Sequence, residues 1–167
     1  RGVSNLGKRI DELLDIARGE IGLLKLKRKQ TNLDAFASDI INDLTTVARS
    51  MGIDLVFSKQ ENLPIAELDG ERIGQVISNL ANNAFKFTAE GGVVNLSIIF
   101  KNDNFIFSIT DNGKGIKPSR QKSIFSPHSD SDSIRFGGLG LGLSLSKMLI
   151  ELHGGSIWMD SKINIGS

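Results

Sequence analysis

Between about Asp69 and Thr88, apolar residues return at Ile73, Val76, Ile77, Leu80 and Ala84, a spacing of i, i+3, i+4, i+7 and i+11. That period predicts one buried face of a helix. Asn79, Asn83 and Lys86 recur at i, i+4 and i+7 and form a second stripe. At about 100° per residue, the second stripe lies a quarter turn or more from the first. A helix resting on a core would therefore hold two amides and an ammonium against whatever adjoins it. Amide oxygens are hard ligands suited to Mg²⁺, and an ammonium suits phosphate. A solvated helix flank is the competing reading of the same residues. Against it, Asn79, Asn82 and Asn83 crowd one helical turn with poor helix formers. Defects of that kind often mark function.

The rest of the pattern predicts an α+β fold. Leu6, Ile10, Leu13, Ala17 and Leu24, widened by Leu14, Ile16 and Ile21, predict a helix to about residue 29. Lys25, Lys27, Arg28 and Lys29 would complement the dipole at its C-terminal end. Thr31-Asn32-Leu33-Asp34 carries cap chemistry for a helix over 34–50, with Phe36, Ile40, Leu44, Val47 and Met51 facing inward and Gly52 ending it. Strands are expected at 53–57, 64–68, about 93–100 and 105–110. Asp103-Asn104 is the expected hairpin turn between the last two, and Phe105, Phe107 and Ile109 share one face. A helix through Leu152 shows Leu141, Leu145, Met148, Leu149 and Leu152, and Ile157-Trp158 begins a final strand. Clustered strands with hairpins speak against a doubly wound sheet. The expectation is a two-layer α/β sandwich: a mixed, mostly antiparallel sheet of about five strands, three helices on one face, and an added N-terminal helix.

Composition narrows this picture by exclusion. A chain of 167 residues with 40% hydrophobic and 23% charged positions can bury one sizeable core. A formal charge of +1 gives no support for nucleic-acid binding. The absence of cysteine excludes disulfides and thiolate metal sites and fits a reducing, cytoplasmic setting. No apolar run approaches the roughly 20 residues of a membrane span. The chain opens on Arg1 and reads as a piece of a longer protein.

Two further stretches carry chemistry. Asp111-Asn112-Gly113-Lys114-Gly115-Ile116 ends the second hairpin strand. Its glycines would let backbone approach a flat ligand while Asp111 accepts hydrogen bonds from it. Asx-turn chemistry explains the same residues more plainly. After a polar stretch over 117–137, of lid character, comes Gly137-Gly138-Leu139-Gly140-Leu141-Gly142-Leu143 at the start of a helix. Free N–H groups and the positive dipole end there suit phosphate.

Taken in order, these stretches resemble the N box (Asn79–Thr88), the first glycine box (Asp111–Ile116) and the second (Arg135–Leu143) of sensor histidine kinases. Ile124-Phe125-Ser126-Pro127 stands at the F box, and Glu151-Leu152-His153-Gly154-Gly155 follows the last motif. The chain is similar over about 33–167 to their catalytic and ATP-binding domain, of the superfamily shared with DNA gyrase, heat-shock chaperones and mismatch-repair proteins. Residues 31–167 would be that domain. Residues 1–30 resemble the end of the second helix of the dimerisation and phosphoacceptor domain.

The resemblance implies ATP and Mg²⁺ as ligands. Asp111 would accept the adenine amine, and Gly113, Gly115 and Ile116 would border the ring. Asn83, with Asn79, would hold Mg²⁺, and Lys86 would face phosphate. Gly138, Leu139, Gly140, Leu141 and Gly142 would line the phosphates, Arg135 would contact the γ-phosphate, and Phe125 would anchor the lid. Leu139 replaces a common Thr or Ser, and His128 an aromatic. The acceptor histidine is absent, and His128 and His153 read as structural. Asn79 stands where related ATPases carry a glutamate that activates water, which disfavours an ATP-driven clamp. The implied partners are the protein's own dimerisation domain, in a homodimer, and a response-regulator receiver domain. A non-catalytic nucleotide-binding or interaction module derived from a kinase is the alternative.

Overall fold

A computed structural model of the chain describes residues 2–126 and 141–167, with side chains from Ile10 onward. The elements run α1 (Gly2–Glu20), β1 (Lys29–Thr31), α2 (Leu33–Ser50), β2 (Asp54–Lys59), β3 (Ala66–Leu68), α3 (Gly70–Phe87), β4 (Val93–Lys101), β5 (Asn104–Asp111), α4 (Pro118–Gln121) and α5 (Gly142–Leu152).

The asparagine helix forms as its period predicts. Asp69 starts it, its carboxylate accepting the Arg72 backbone N–H at 3.2 Å. Such a cap contributes about 1 kcal/mol. Ile73, Val76, Ile77 and Ala84 are buried as expected, but Leu80 is half-buried, and Ala81 and Phe85 extend the buried set instead. The reason is that α3 is covered from two sides. Ile73, Ile77, Ala81, Ala84 and Phe85 meet Val94, Leu96 and Ile98 of the sheet. Val76 and Leu80 turn the other way, toward Leu145 and Leu149 of α5.

The α+β class stands and the strands number five, but Lys29–Thr31 takes the place of the strand expected from Ile157, and the strands divide into two sheets. β2, β4 and β5 form one and β1 with β3 the other. β4 runs antiparallel to β5 and parallel to β2. The parallel pair follows from the long connection through α3, since parallel strands need a crossover. α2 and α3 cover the larger sheet, while α5 lies across α3 and α1 lies on α5.

Several local expectations shift. The hairpin turn is Asn102-Asp103, one residue early, both with positive φ (50° and 58°). That is the two-residue turn whose twist matches the flanking strands. Phe105, Phe107 and Ile109 do pack on the core. Asn32 caps α2, accepting from Asp34 and Ala35 N–H groups at 2.9 and 3.2 Å. The buried line of α2 is Leu33, Ala37, Leu44 and Ala48, with Val47 and Met51 exposed. Small Ala37 and Ala48 let this face sit close to its neighbours. Residues 156–160 pair with no strand among the described residues, and Trp158 is 64% exposed.

α1 also stops earlier than its apolar stripe predicts. Leu23 N–H bonds Arg18 C=O at 2.8 Å and Gly22 N–H bonds Gly19 C=O at 3.0 Å, with Gly22 at φ 69°. This paired closure is a glycine helix stop. The basic run beyond it is a connecting segment, stitched down at two adjacent residues. Lys27 N–H donates to Asp69 Oδ2 at 2.8 Å, and Arg28 Nη2 donates to Leu152 C=O at 3.0 Å.

A second set of contacts seats α1 itself. Buried Asp15 receives the Arg72 guanidinium on both carboxylate oxygens, Nη2 to Oδ1 at 3.1 Å, and Arg72 Nη1 also reaches Gln75 at 3.0 Å. Ile16 and Leu24 join the apolar cluster of Val76, Leu145 and Leu149. His153 closes the far end of α5: its Nε2 accepts Asp69 N–H at 3.1 Å, so Nδ1 carries the proton and donates to Leu149 C=O at 2.7 Å. The structural role expected of His153 is the one it occupies.

Removing either partner of the Asp15–Arg72 pair should not cost the same. Arg72→Ala leaves a buried carboxylate alone and should destabilise by roughly 1–3 kcal/mol. Asp15→Ala leaves Arg72 with Gln75 and solvent and should cost less. Urea unfolding measures the order, and faster amide exchange confined to α1 should accompany both. Equal losses would refute the asymmetry.

Candidate nucleotide-binding site

The polar stripe of α3 runs between two neighbours. Asn79, Asn83 and Lys86 are all half-buried, whereas Asn82 is exposed. At one end Asn79 meets α5: its Nδ2 donates to Ser146 Oγ at 2.9 Å. At the other end Phe87 meets the turn after β5, its C=O accepting Lys114 N–H at 3.2 Å. Asn83 and Lys86 lie between these two contacts, and the Asn83 amide has no partner among the described residues. The stripe is therefore half-buried in the space between α5 and the Asp111 turn, called the cleft below, and not on a fully exposed flank.

Asp111 closes β5, half-buried, with its Oδ1 accepting Gly113 N–H at 2.8 Å. Burial pushes its carboxyl above the ordinary 3.8, while backbone N–H groups of Gly113 and Ser167 pull the other way. A carboxylate kept there at neutral pH has a cost, and one short of its full hydrogen-bonding capacity is an acceptor held ready. The adjoining glycines do more packing than the sequence suggests. A Cβ on Gly113 would stand 2.3 Å from Phe87 C=O. Gly115, at φ 66°, would place one 2.1 Å from Lys162 C=O. Both allow the turn to nest between the end of α3 and residues 161–167.

That last segment braces the turn throughout. Ile116 N–H donates to Ser161 Oγ at 2.8 Å, Lys114 C=O accepts Asn164 N–H at 2.8 Å, and Asp111 N–H donates to Ser167 C=O at 2.9 Å. Gln121, at the end of α4, bridges Ile116 and Ser161 carbonyls at 2.8 and 2.9 Å. Residues 117–121 are thus partly helical, where an irregular stretch was expected; Pro118 starts that turn.

Charge collects beside the turn. Lys86 Nζ lies 5.2 Å and Lys114 Nζ 4.4 Å from the Phe87 ring centre. Aromatic faces attract such cations, and here the ring gathers two of them at one end of the cleft. Sequence reasoning named Lys86 but passed over Lys114, which was visible inside the glycine box. It also missed Ser146 and Ser161, whose roles depend on partners 67 and 45 residues away.

On the α5 side, Leu141 is buried at the helix start and Gly142 lies against Asn79. Phe125 is half-buried away from the stripe, in a groove of about 290 Å³ with Ile16, Gly19, Ser144 and Met148. Arg135, Gly138, Leu139, Gly140 and His128 fall outside the described residues.

Among the described residues, no group of three or more His, Cys, Asp or Glu side chains could hold a metal ion. The cleft offers amide oxygens instead, a donor set that suits Mg²⁺ when phosphate oxygens and water complete the shell. No helix of the described residues is long and apolar enough to cross a membrane.

Comparison with known proteins agrees with this geometry. Residues 68–167 match the family described as histidine kinase-, DNA gyrase B-, and HSP90-like ATPase. The chain is 37% identical over 163 residues to the circadian input-output histidine kinase CikA of Synechococcus elongatus, covering 95% of this chain and 22% of that protein. It is 38% identical over 168 residues to the virulence sensor protein BvgS of Bordetella bronchiseptica, covering 95% and 13%. The chain thus spans a minor part of the length of these relatives. Among solved structures, full-length ShkA in complex with AMPPNP superposes with a TM-score of 0.86 at 26% identity, over 97% of this chain and 34% of that one. The catalytic domain of histidine kinase ThkA does so with a TM-score of 0.75 at 28% identity, over 84% and 91%. A cleft built from an asparagine stripe, a half-buried carboxylate and a glycine turn, matched over this span, makes the chain a histidine kinase ATP-binding domain of the histidine kinase-, DNA gyrase B-, and HSP90-like ATPase family.

Proposed function

We propose that this chain binds Mg-ATP in the cleft over α3 and presents the γ-phosphoryl group to a histidine on a dimerisation helix, within a homodimeric, cytoplasmic kinase unit. The observation that carries this reading is Asp111: a carboxylate held partly buried at a strand end, at some cost to the fold. Asp111 accepts the exocyclic amine of adenine, which selects adenine over guanine, and the Gly113–Ile116 turn borders the ring. Asn83 and Asn79 supply amide oxygens to Mg²⁺, which neutralises charge on the triphosphate when bound. Lys86 and Lys114 add positive charge from the Phe87 end of the cleft. The binding of AMPPNP by ShkA, in a fold this similar, supports the nucleotide assignment.

Phosphoryl transfer depends on positioning and charge neutralisation more than on covalent help from the protein. Nothing at Asn79 can take a proton from water, since an amide is not a base. The bound phosphoryl group is therefore kept for an imidazole. Residues 1–30 are proposed as the end of the second helix of the dimerisation and phosphoacceptor domain, and α1 lies on α5. ThkA, with which this fold aligns at a TM-score of 0.75, has been seen in complex with the response regulator TrrA, which supports a receiver domain as the downstream partner here.

Three outcomes test this reading. Asp111→Asn should abolish ATP binding by calorimetry while the ligand-free protein melts no lower at neutral pH. The sign follows from a carboxyl raised in the folded state. Its burial costs stability above the ordinary value of 3.8, and that cost disappears as pH falls below it. Unchanged ATP affinity would refute the adenine assignment. Asn83→Ala should weaken ATP binding severalfold more with Mg²⁺ than with chelator; equal losses would remove Asn83 as metal ligand. Finally, the purified chain should turn ATP over slowly, whereas a form extended to include the acceptor helix should gain acid-labile phosphohistidine from labelled ATP. Fast hydrolysis without phosphohistidine would overturn the kinase reading.

A further inference from the structure

We infer that Ser146 is a positioning residue, whose hydroxyl sets the Asn79 amide and so ties the seat of α5 to the metal–phosphate end of the cleft. The inference rests on the ATP reading above and deepens it.

Ser146 is 2% exposed and sits on α5 between Leu145 and Leu149, which pack with Val76 of α3. A hydroxyl placed there costs free energy unless it is hydrogen-bonded. Its partner is Asn79, donating through Nδ2 at 2.9 Å. Gly142 lies one turn earlier on the same face of α5. A Cβ there would come 2.2 Å from Asn79 Oδ1 and 2.8 Å from its Cγ. The amide is therefore packed against Gly142, its oxygen nearest, and held at its nitrogen by Ser146. That bond sets the plane of the amide, and with it the direction in which the oxygen, its one acceptor atom, can meet a cation or its water.

Neither residue could be exchanged for a purely apolar one without changing this. Alanine at 146 would leave the amide nitrogen without its acceptor, and a larger residue at 142 would displace the amide bodily. Because a hydrogen bond weakens steeply with misalignment, small movements of α5 alter how Asn79 faces the cleft. The hydroxyl acts through Asn79 and does not itself touch nucleotide.

Calorimetry on residues 1–167, with ATP in the presence of Mg²⁺ and again with chelator, separates this from simple packing. Ser146→Ala should lower Mg-ATP affinity about fivefold to tenfold, and Mg²⁺-free affinity less than twofold. In an Asn79→Ala background the same change should add nothing. Ser146→Cys, which keeps volume and a weak acceptor, should give an intermediate, Mg²⁺-selective loss and decides the matter if the alanine variant does not fold. Losses that are equal with and without Mg²⁺, that add to those of Asn79→Ala, or that fall below twofold throughout would overturn the inference. A parent chain that bound no ATP at all would instead overturn the nucleotide reading beneath it.

Discussion

The structure depends on α3 being buried along two of its sides and left open along a third. Ile73, Ile77, Ala81, Ala84 and Phe85 anchor it on the sheet, and Val76 with Leu80 anchors it under α5. A helix held on one side alone could rock about its axis, carrying any functional stripe with it. Held on two, its rotation is set by close packing, which resists even small changes of volume. Asn79, Asn83 and Lys86 occupy the remaining side and inherit that fixed rotation. Three asparagines in one turn cost helix stability, and the double burial is what offsets it.

The two ends of α3 are secured by different chemistry. At its start, one buried carboxylate gathers distant strands of the chain: Asp69 caps the helix, receives Lys27 N–H, and lends its own N–H to His153. Next to it, Arg72 fastens α1 through Asp15. These are polar contacts in a poorly solvated place, strong when complete and costly when half-made. At its end, α3 meets the Asp111 turn through close backbone approach, possible because Gly113 has no Cβ. α3 is thus fastened by a polar clasp at its start and by a backbone seam at its end.

Asp111 shows the other side of the balance. Burial raises the free energy of its charge, and the N–H of Gly113 offsets only part of it. The fold carries that cost at the end of a strand whose other core residues, Phe105, Phe107 and Ile109, are apolar. Local rules broken at one residue, with compensation around it, are what a binding site looks like energetically.

Much of this was legible along the chain. The 3.6-residue period located α3 and its polar stripe, Asn32 and Gly52 bounded α2, and alternation gave β5 its inner face. These features are local, so neighbouring residues specify them. The early stop of α1 was signalled by Gly22 but masked by a continuing apolar stripe, because Leu24 packs from a connecting segment. β1 was invisible: Lys29-Gln30-Thr31 has no strand pattern and pairs only because β3 lies beside it. The sequence by itself determined which residue types the cleft contains and which helix and turn present them. Tertiary structure decided that the strands split into two sheets, that Lys114 joins Lys86 at Phe87, and that the nitrogen of Asn79 is taken by Ser146. Those outcomes hang on contacts between segments far apart in the chain, where no local period or propensity reaches.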